Sequence, residues 1–72
     1  MAVQKTIVIQ VNGQPREAPE GTTVAALLER MGLNPGRVAI EHNLSILPRA
    51  QWAATTIAAD DRFEIVQFVG GG

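Results

Sequence analysis

The sequence predicts an α+β fold in which a mixed sheet of four to five strands carries one main helix on a single face. Three observations lead there. In residues 5–11 and 62–68 apolar side chains recur at every second position, at Ile7, Ile9 and Val11 and at Phe63 and Ile65, the period of a strand with one buried face. Val24, Leu27, Leu28 and Met31 stand at offsets 0, 3, 4 and 7, one apolar stripe of a helix. The order is hairpin, helix, then further strands, which separates the helix from the sheet instead of alternating with it.

The first strand reads Lys5 to Val11, with Ile7, Ile9 and Val11 on one face and Thr6, Val8 and Gln10 on the other. Asn12-Gly13 is a two-residue hairpin signal, because both residues tolerate a positive φ. Gln14 to Ala18 is the returning strand. Pro15 inside it marks a sheet edge, with the proline's missing N–H facing outward.

Pro19-Glu20-Gly21 breaks the chain before the helix, and Thr22 or Thr23, the latter favoured, caps it. The helix runs about two turns to Met31. Gly32 suits the left-handed residue that ends it, Leu33 packs back on the last turn, and Asn34-Pro35-Gly36 completes the change of direction.

Arg37 to His42 is the third strand, with Val38 and Ile40 on one face and Ala39 and Glu41 on the other. Asn43 to Ser45 is a turn. Ile46-Leu47 starts a short strand that Pro48 stops, and residues 49–59 hold a short helical turn and an extended crossing. Asp60-Asp61 makes the last turn before Arg62 to Phe68, the final strand, which runs into Val69-Gly70-Gly71-Gly72. First and last strands side by side in the centre need a long crossover through the helix. That arrangement is the β-grasp, or ubiquitin-like, fold, with a domain over 1–69 and a flexible glycine tail over 70–72.

Composition narrows the function. The 72 residues suffice for one domain, 46% hydrophobic and 18% charged. Such a domain buries about 60–65% of the surface its unfolded chain exposes. The lack of cysteine removes disulfides, thiolate metal sites and cysteine nucleophiles, and His42 alone builds no multi-histidine centre. A net charge of −1 provides no basic stripe for phosphates, which disfavours nucleic acid. No apolar run approaches a membrane span, and residues 1–11 do not read as a signal peptide, so a cytoplasmic protein without a membrane role is expected.

The three glycines that end the chain are its most informative feature. One explanation is a loose chain end or an expression remnant. The other starts from what side-chain-free residues allow. They thread a narrow channel, present the Gly72 carboxylate to another protein's active site and leave its carbonyl carbon open to attack. A carboxylate is a poor electrophile and needs activation, as by adenylation. The chain has no phosphate-binding glycine loop followed by a helix, so a partner must bind the ATP.

Over nearly its whole length the sequence resembles the ThiS family of sulfur carriers of thiamine (thiazole) biosynthesis. The matching residues are Val11-Asn12-Gly13, Gly21-Thr22-Thr23-Val24 into Leu27-Leu28, Val38-Ala39-Ile40-Glu41 with Asn43, Ile46-Leu47-Pro48-Arg49 with Trp52, Asp61-Arg62, Glu64-Ile65-Val66, and Phe68 through Gly72. The Pro-Arg-x-x-Trp segment together with a terminal Gly-Gly is the specific part.

The resemblance implies a protein co-substrate and not an enzyme. A ThiF-type adenylyltransferase would convert the Gly72 carboxylate to an acyl-adenylate. A cysteine desulfurase would supply the sulfur that replaces AMP, and thiazole synthase (ThiG) would use the resulting thiocarboxylate. Gly71 and Gly72 are the family's functional pair, and Gly70 lengthens the tether. The chain binds no cofactor or metal of its own in this scheme. It departs from the family at Asp60-Asp61 (for Gly-Asp), at Asn43-Leu44 (for Asn-Gly) and at His42 (for an aliphatic residue).

Outward alternation puts Val8, Val66 and Phe68 on one face of the sheet, where they are expected to form an apolar patch for partner enzymes. Trp52 is expected to anchor packing, Arg49 to be solvated or locally paired, and Met31 to belong to the core. Three alternatives stay open: the small subunit of molybdopterin synthase, which is a sulfur carrier of the same fold, a protein-conjugating modifier, and a non-covalent β-grasp binding module.

Overall fold

The computed structural model describes residues 5–68. Strands β1 (Thr6–Val11) and β2 (Gln14–Pro19) form the first hairpin, followed by helix α1 (Val24–Arg30). Strands β3 (Val38–His42), β4 (Ser45–Ile46) and β5 (Arg62–Gln67) complete one sheet in the order β2-β1-β5-β3-β4. The central pair β1 and β5 is parallel and every other pair antiparallel, the β-grasp arrangement expected from the order of elements. Short 3-10 helices at Pro35–Arg37 and Arg49–Gln51 punctuate the connections. The ladders extend past the strand ends: the Glu20 N–H donates to the Lys5 carbonyl (2.6 Å) and the Phe68 N–H to that of Arg37 (2.7 Å).

The first hairpin turns through Asn12 (φ 52°) and Gly13 (φ 79°), the paired positive φ that matches the twist of its strands. The register opposes Ile7 to Ala18, Ile9 to Arg16 and Gln10 to Pro15. Lys5 and Glu20 form a hydrogen-bonded pair, so alternation puts Pro15 and Pro19 where the nitrogen faces away from β1. Both prolines therefore sit where no ladder bond is lost, and they blunt that edge against further pairing.

Thr23 caps α1, its Oγ1 accepting the Ala26 N–H at 3.1 Å. The two donors that precede it in the helix are met from the long connection between β4 and β5: the Val24 N–H donates to the Thr55 carbonyl and the Ala25 N–H to that of Trp52. Thus the crossing segment serves as a lid on the helix N-terminus. At the other end Gly32 has φ 72°, and the Leu33 N–H donates to the Leu28 carbonyl at 3.0 Å, the wider of the two bonds that close a helix through a left-handed residue.

The buried set includes Ile7, Ile9 and Val11 from β1, Val24, Leu27 and Leu28 from α1, Val38 and Ile40 from β3, and Phe63 and Ile65 from β5. Met31 is half-buried against this cluster instead of inside it. Trp52 is buried, and its indole N–H reaches the Leu47 carbonyl at 2.9 Å, so its polar edge is satisfied while the rings fill the core. Ile57 is also buried, although neither strand nor helix periodicity surrounds it. Among the described residues no buried side-chain polar atom lacks a partner.

Two differences from the sequence-based expectations concern the second hairpin. Its loop is the pair Asn43 (φ 50°) and Leu44 (φ 73°), so Ser45 begins β4 instead of ending the turn. Leu47 falls outside β4, yet its N–H still donates to the Ile40 carbonyl at 2.9 Å. Pro48 then diverts the chain, as expected.

Candidate functional site: the outer sheet face below the C-terminus

The helix covers one face of the sheet, which leaves the other to solvent. On β5 and at the residue just past its end, the side chains pointing outward are Arg62, Glu64, Val66 and Phe68, all exposed. Directly across on β3, Ala39 faces Val66 and Glu41 faces Glu64, while Ile46 on β4 faces Glu41. Val66 lines one shallow depression with Ala39 and Ile46, and Phe68 lines an adjoining one that shares Ala39 and Ile46, so the two make a continuous apolar trough with Ala39 at its floor. Ile46 is 79% exposed, Val66 59% and Phe68 56%, a costly arrangement for a free surface and a useful one for a contact.

Pro48, Arg49 and Trp52 wall the Phe68 end of the trough. The Arg49 guanidinium lies over the Trp52 ring, 5.5 Å from its centroid, a cation–π contact that places a positive charge at the rim. The opposite rim is negative, since Glu41 and Glu64 are cross-strand neighbours and, among the described residues, neither forms a salt bridge. Like charges so placed repel by a few tenths of a kcal/mol to about 1 kcal/mol, and a basic group on a partner would relieve that.

The structure brings Val66 and Phe68 together but not Val8. Val8 is exposed on the same face, yet the β1–β5 register pairs Gln10 with Arg62, which puts Val8 level with Asp60. Val66 lies six residues further along the parallel ladder, roughly 20 Å at ~3.3 Å per residue. The three residues therefore do not form one patch. Ile46 takes the place expected of Val8; a strand of two residues has too little alternation to announce which way it points.

The chain leaves this site towards its C-terminus. Phe68, still bonded to β3 through its N–H, is the last described residue. Val69 and the expected functional residues Gly70, Gly71 and Gly72 lie outside the described residues.

At the other end of β3 and β5 stands a polar cluster. The His42 ring stacks on Phe63 with centroids 4.7 Å apart and planes 10° apart. Its Nε2 lies 3.0 Å from Asp61 Oδ2, an oxygen that also accepts the Ala58 N–H at 2.8 Å. The Asn43 amide donates to Asp61 Oδ1 at 3.2 Å. Burial alone would raise the Asp61 pKa, but the Ala58 N–H, the Asn43 amide and the imidazole outweigh it and hold the carboxyl below its ordinary value. The expected aliphatic position is thus filled by an imidazole that uses its face for packing and its edge for the turn. Among the described residues no three acidic, histidine or cysteine side chains converge as a metal site, and no helix is long and apolar enough to cross a membrane.

Comparison with known proteins bears on this geometry. The family model described as "ThiS family" matches residues 9–72. A thiazole synthase of Magnetococcus marinus is 41% identical over 64 residues, which are 89% of this chain and 20% of that protein. The chain thus spans about one fifth of that relative, and the same holds for a thiazole synthase of Paramagnetospirillum magneticum, at 40% identity and 19% of its length. The sulfur carrier protein ThiS of Escherichia coli is 33% identical over 64 residues, 89% of this chain and 97% of that protein. The crystal structure of a thiamine biosynthesis protein (ThiS) from Geobacter metallireducens superposes with a TM-score of 0.79 at 32% identity. It covers 92% of this chain and 100% of that one.

Proposed function

The chain belongs to the ThiS family of sulfur carriers, and from that premise we propose that it carries sulfur as a thiocarboxylate on Gly72 for building the thiazole ring of thiamine. The observation that carries this reading is the family match through residue 72, which takes in the three glycines that follow β5.

The chemistry follows from the carboxylate. A ThiF-type adenylyltransferase joins it to AMP and releases pyrophosphate from ATP, which makes the Gly72 carbonyl carbon an electrophile. The terminal sulfur of a cysteine desulfurase's persulfide attacks that carbon and AMP leaves; a thiol reductant then cleaves the resulting acyl disulfide, which frees the thiocarboxylate and returns the desulfurase cysteine. Thiazole synthase (ThiG) then takes the sulfur. In this cycle the chain is a co-substrate, ATP belongs to the partner, and the cycle runs in the cytoplasm.

The outer face has a matching role. Val66 and Phe68, with Ile46, offer an apolar contact next to the tail. Gly70 and Gly71 supply a tether that fits a narrow channel. Val8 joins the contact only with a partner whose footprint spans the whole sheet. The relatives named thiazole synthase favour the thiazole pathway over the molybdopterin alternative.

The test is an intact mass. The protein is incubated with the adenylating partner, ATP and a sulfur source, then treated with a thiol-alkylating agent. With no cysteine in the sequence, a thiocarboxylate is the sulfhydryl available to react. One ATP-dependent adduct mapping to Gly72 is expected. An unmodified mass, with the partner active on a known carrier, would refute the reading in favour of a non-covalent binding module.

A further inference from the structure

β5 outruns the strand beside it. The last ladder partner that β1 offers is Val11, opposite Phe63, whereas on the other side β3 follows β5 as far as Gln67. Backbone bonds to β3 come from alternate residues: the Arg62 carbonyl accepts the Asn43 N–H, and the Phe68 N–H donates to the Arg37 carbonyl. Phe63, Ile65 and Gln67 therefore turn their main-chain groups to the β1 side. There the chain of β1 has already turned away into its hairpin.

Asn12 fills the gap. Its main-chain N–H donates to the Phe63 carbonyl at 2.9 Å, which ends the regular ladder. Its side chain then does what the next residue of β1 would have done: Oδ1 accepts the Ile65 N–H at 2.7 Å and Nδ2 donates to the Ile65 carbonyl at 3.1 Å. A carboxamide offers the same donor and acceptor as a peptide group. The positive φ of Asn12, 52°, sends the main chain into the turn while the side chain stays with β5. Past this point Gln67 has no main-chain partner on that side among the described residues, so Ile65 is the last doubly anchored position before the tail.

We propose that Asn12 is a positioning residue whose carboxamide lengthens the parallel β1–β5 ladder by one peptide equivalent and so sets the direction in which the chain leaves the sheet at Phe68. The proposal rests on the sulfur-carrier reading, since a partner that must receive the C-terminal segment benefits from a fixed exit. Without the clamp the last residues of β5 are held by β3 alone and the exit swings. Each encounter then has to order the segment anew, which raises KM for the carrier and leaves the chemical step unchanged.

Two variants test this. Asn12→Gly suits the positive φ and keeps the hairpin, but removes both side-chain bonds. Ile65 amide exchange should quicken while amides bonded to β3 hold, NMR order parameters at Val66–Phe68 should fall, and KM for the carrier in the ATP-dependent adenylation should rise about tenfold with kcat within about twofold. Asn12→Asp keeps the size but sets a carboxylate oxygen against the Ile65 carbonyl. Acidification that protonates the introduced carboxyl restores a donor, and the Phe68 order parameter should recover towards that of the parent chain. A merely structural loss would show no such recovery. Parent-like order parameters and KM in both variants would overturn the proposal. If the parent chain is not adenylated at all, the sulfur-carrier reading falls on that result, while unchanged exchange and order parameters in the variants would independently overturn the clamp.

Discussion

Leu44 is held in a conformation that its own side chain opposes, and replacing it with glycine should stabilise the protein. It occupies the second position of the β3–β4 hairpin loop with φ 73°, and 87% of its surface is exposed. For a residue with a Cβ the left-handed region costs roughly 1–2 kcal/mol. The side chain recovers little of that through burial. Glycine removes the strain but adds conformational freedom to the unfolded chain, an opposing term of roughly 0.5–1 kcal/mol. The net expectation for Leu44→Gly is a gain of about 0.5–1 kcal/mol. Across a domain of 72 residues, unfolding entropy of about 2.1 cal/mol/K per residue converts this to a rise in Tm of roughly 3–7 °C. Thermal unfolding followed by circular dichroism, with urea titration as a check on the midpoint, measures it. Leu44→Ala is the control: it removes the exposed side chain and keeps the Cβ, so its Tm should stay near that of the parent. A Tm for Leu44→Gly at or below the parent's, with an equal loss in Leu44→Ala, would show that the leucine side chain stabilises the loop and that the strain argument fails.

Three further outcomes follow from the same geometry. Asp61 has a lowered pKa in the folded state, so the stability it contributes is present above its unfolded value, about 3.9, and is lost as pH falls through the lower folded value. Urea unfolding between pH 2 and 7 should therefore show a steep acid limb that flattens in Asp61→Asn, a variant also less stable at neutral pH; parallel limbs would contradict the assignment. Thr23→Ala removes the cap on Ala26 and should cost about 1 kcal/mol, read as a Tm drop of roughly 4–8 °C. Val66→Lys puts a charge into the apolar trough beside Glu41 and Glu64. Its Tm should stay close to the parent's while affinity for the adenylating partner, measured by calorimetry, weakens about tenfold or more; unaltered affinity would remove this face from the contact.

The trough and the clamp suggest how a small carrier divides its work. The buried core needs only to hold β1 and β5 side by side, and Trp52 and Ile57 from the long connection help to close it. On the proposed reading, a partner would meet the outer face and the end of β5, both governed by the few residues that flank Phe68.

Much of this protein was determined within short stretches of its sequence. The alternation of Ile7, Ile9 and Val11, the Asn12-Gly13 turn, the Thr23 cap and the Val24-Leu27-Leu28 stripe each express a preference of neighbouring residues, and each appears in the structure where that preference puts it. The outward faces of Val66 and Phe68 follow from the same period of two. Other features depend on residues far apart in the chain, for which no local pattern exists. The offset between β1 and β5 is set by how the intervening helix and crossing segment pack, and that offset alone separates Val8 from Val66. The hold of Asn12 on Ile65, a residue 53 positions away, is likewise invisible in an Asn-Gly pair that already explains itself as a turn. Ile57 became core, and His42 found Asp61, because the segment from Pro48 to Asp61 closes over the helix start and returns to the sheet. Local energies chose the elements, whereas register and closure were settled by burying one shared core, a choice that only the folded chain makes.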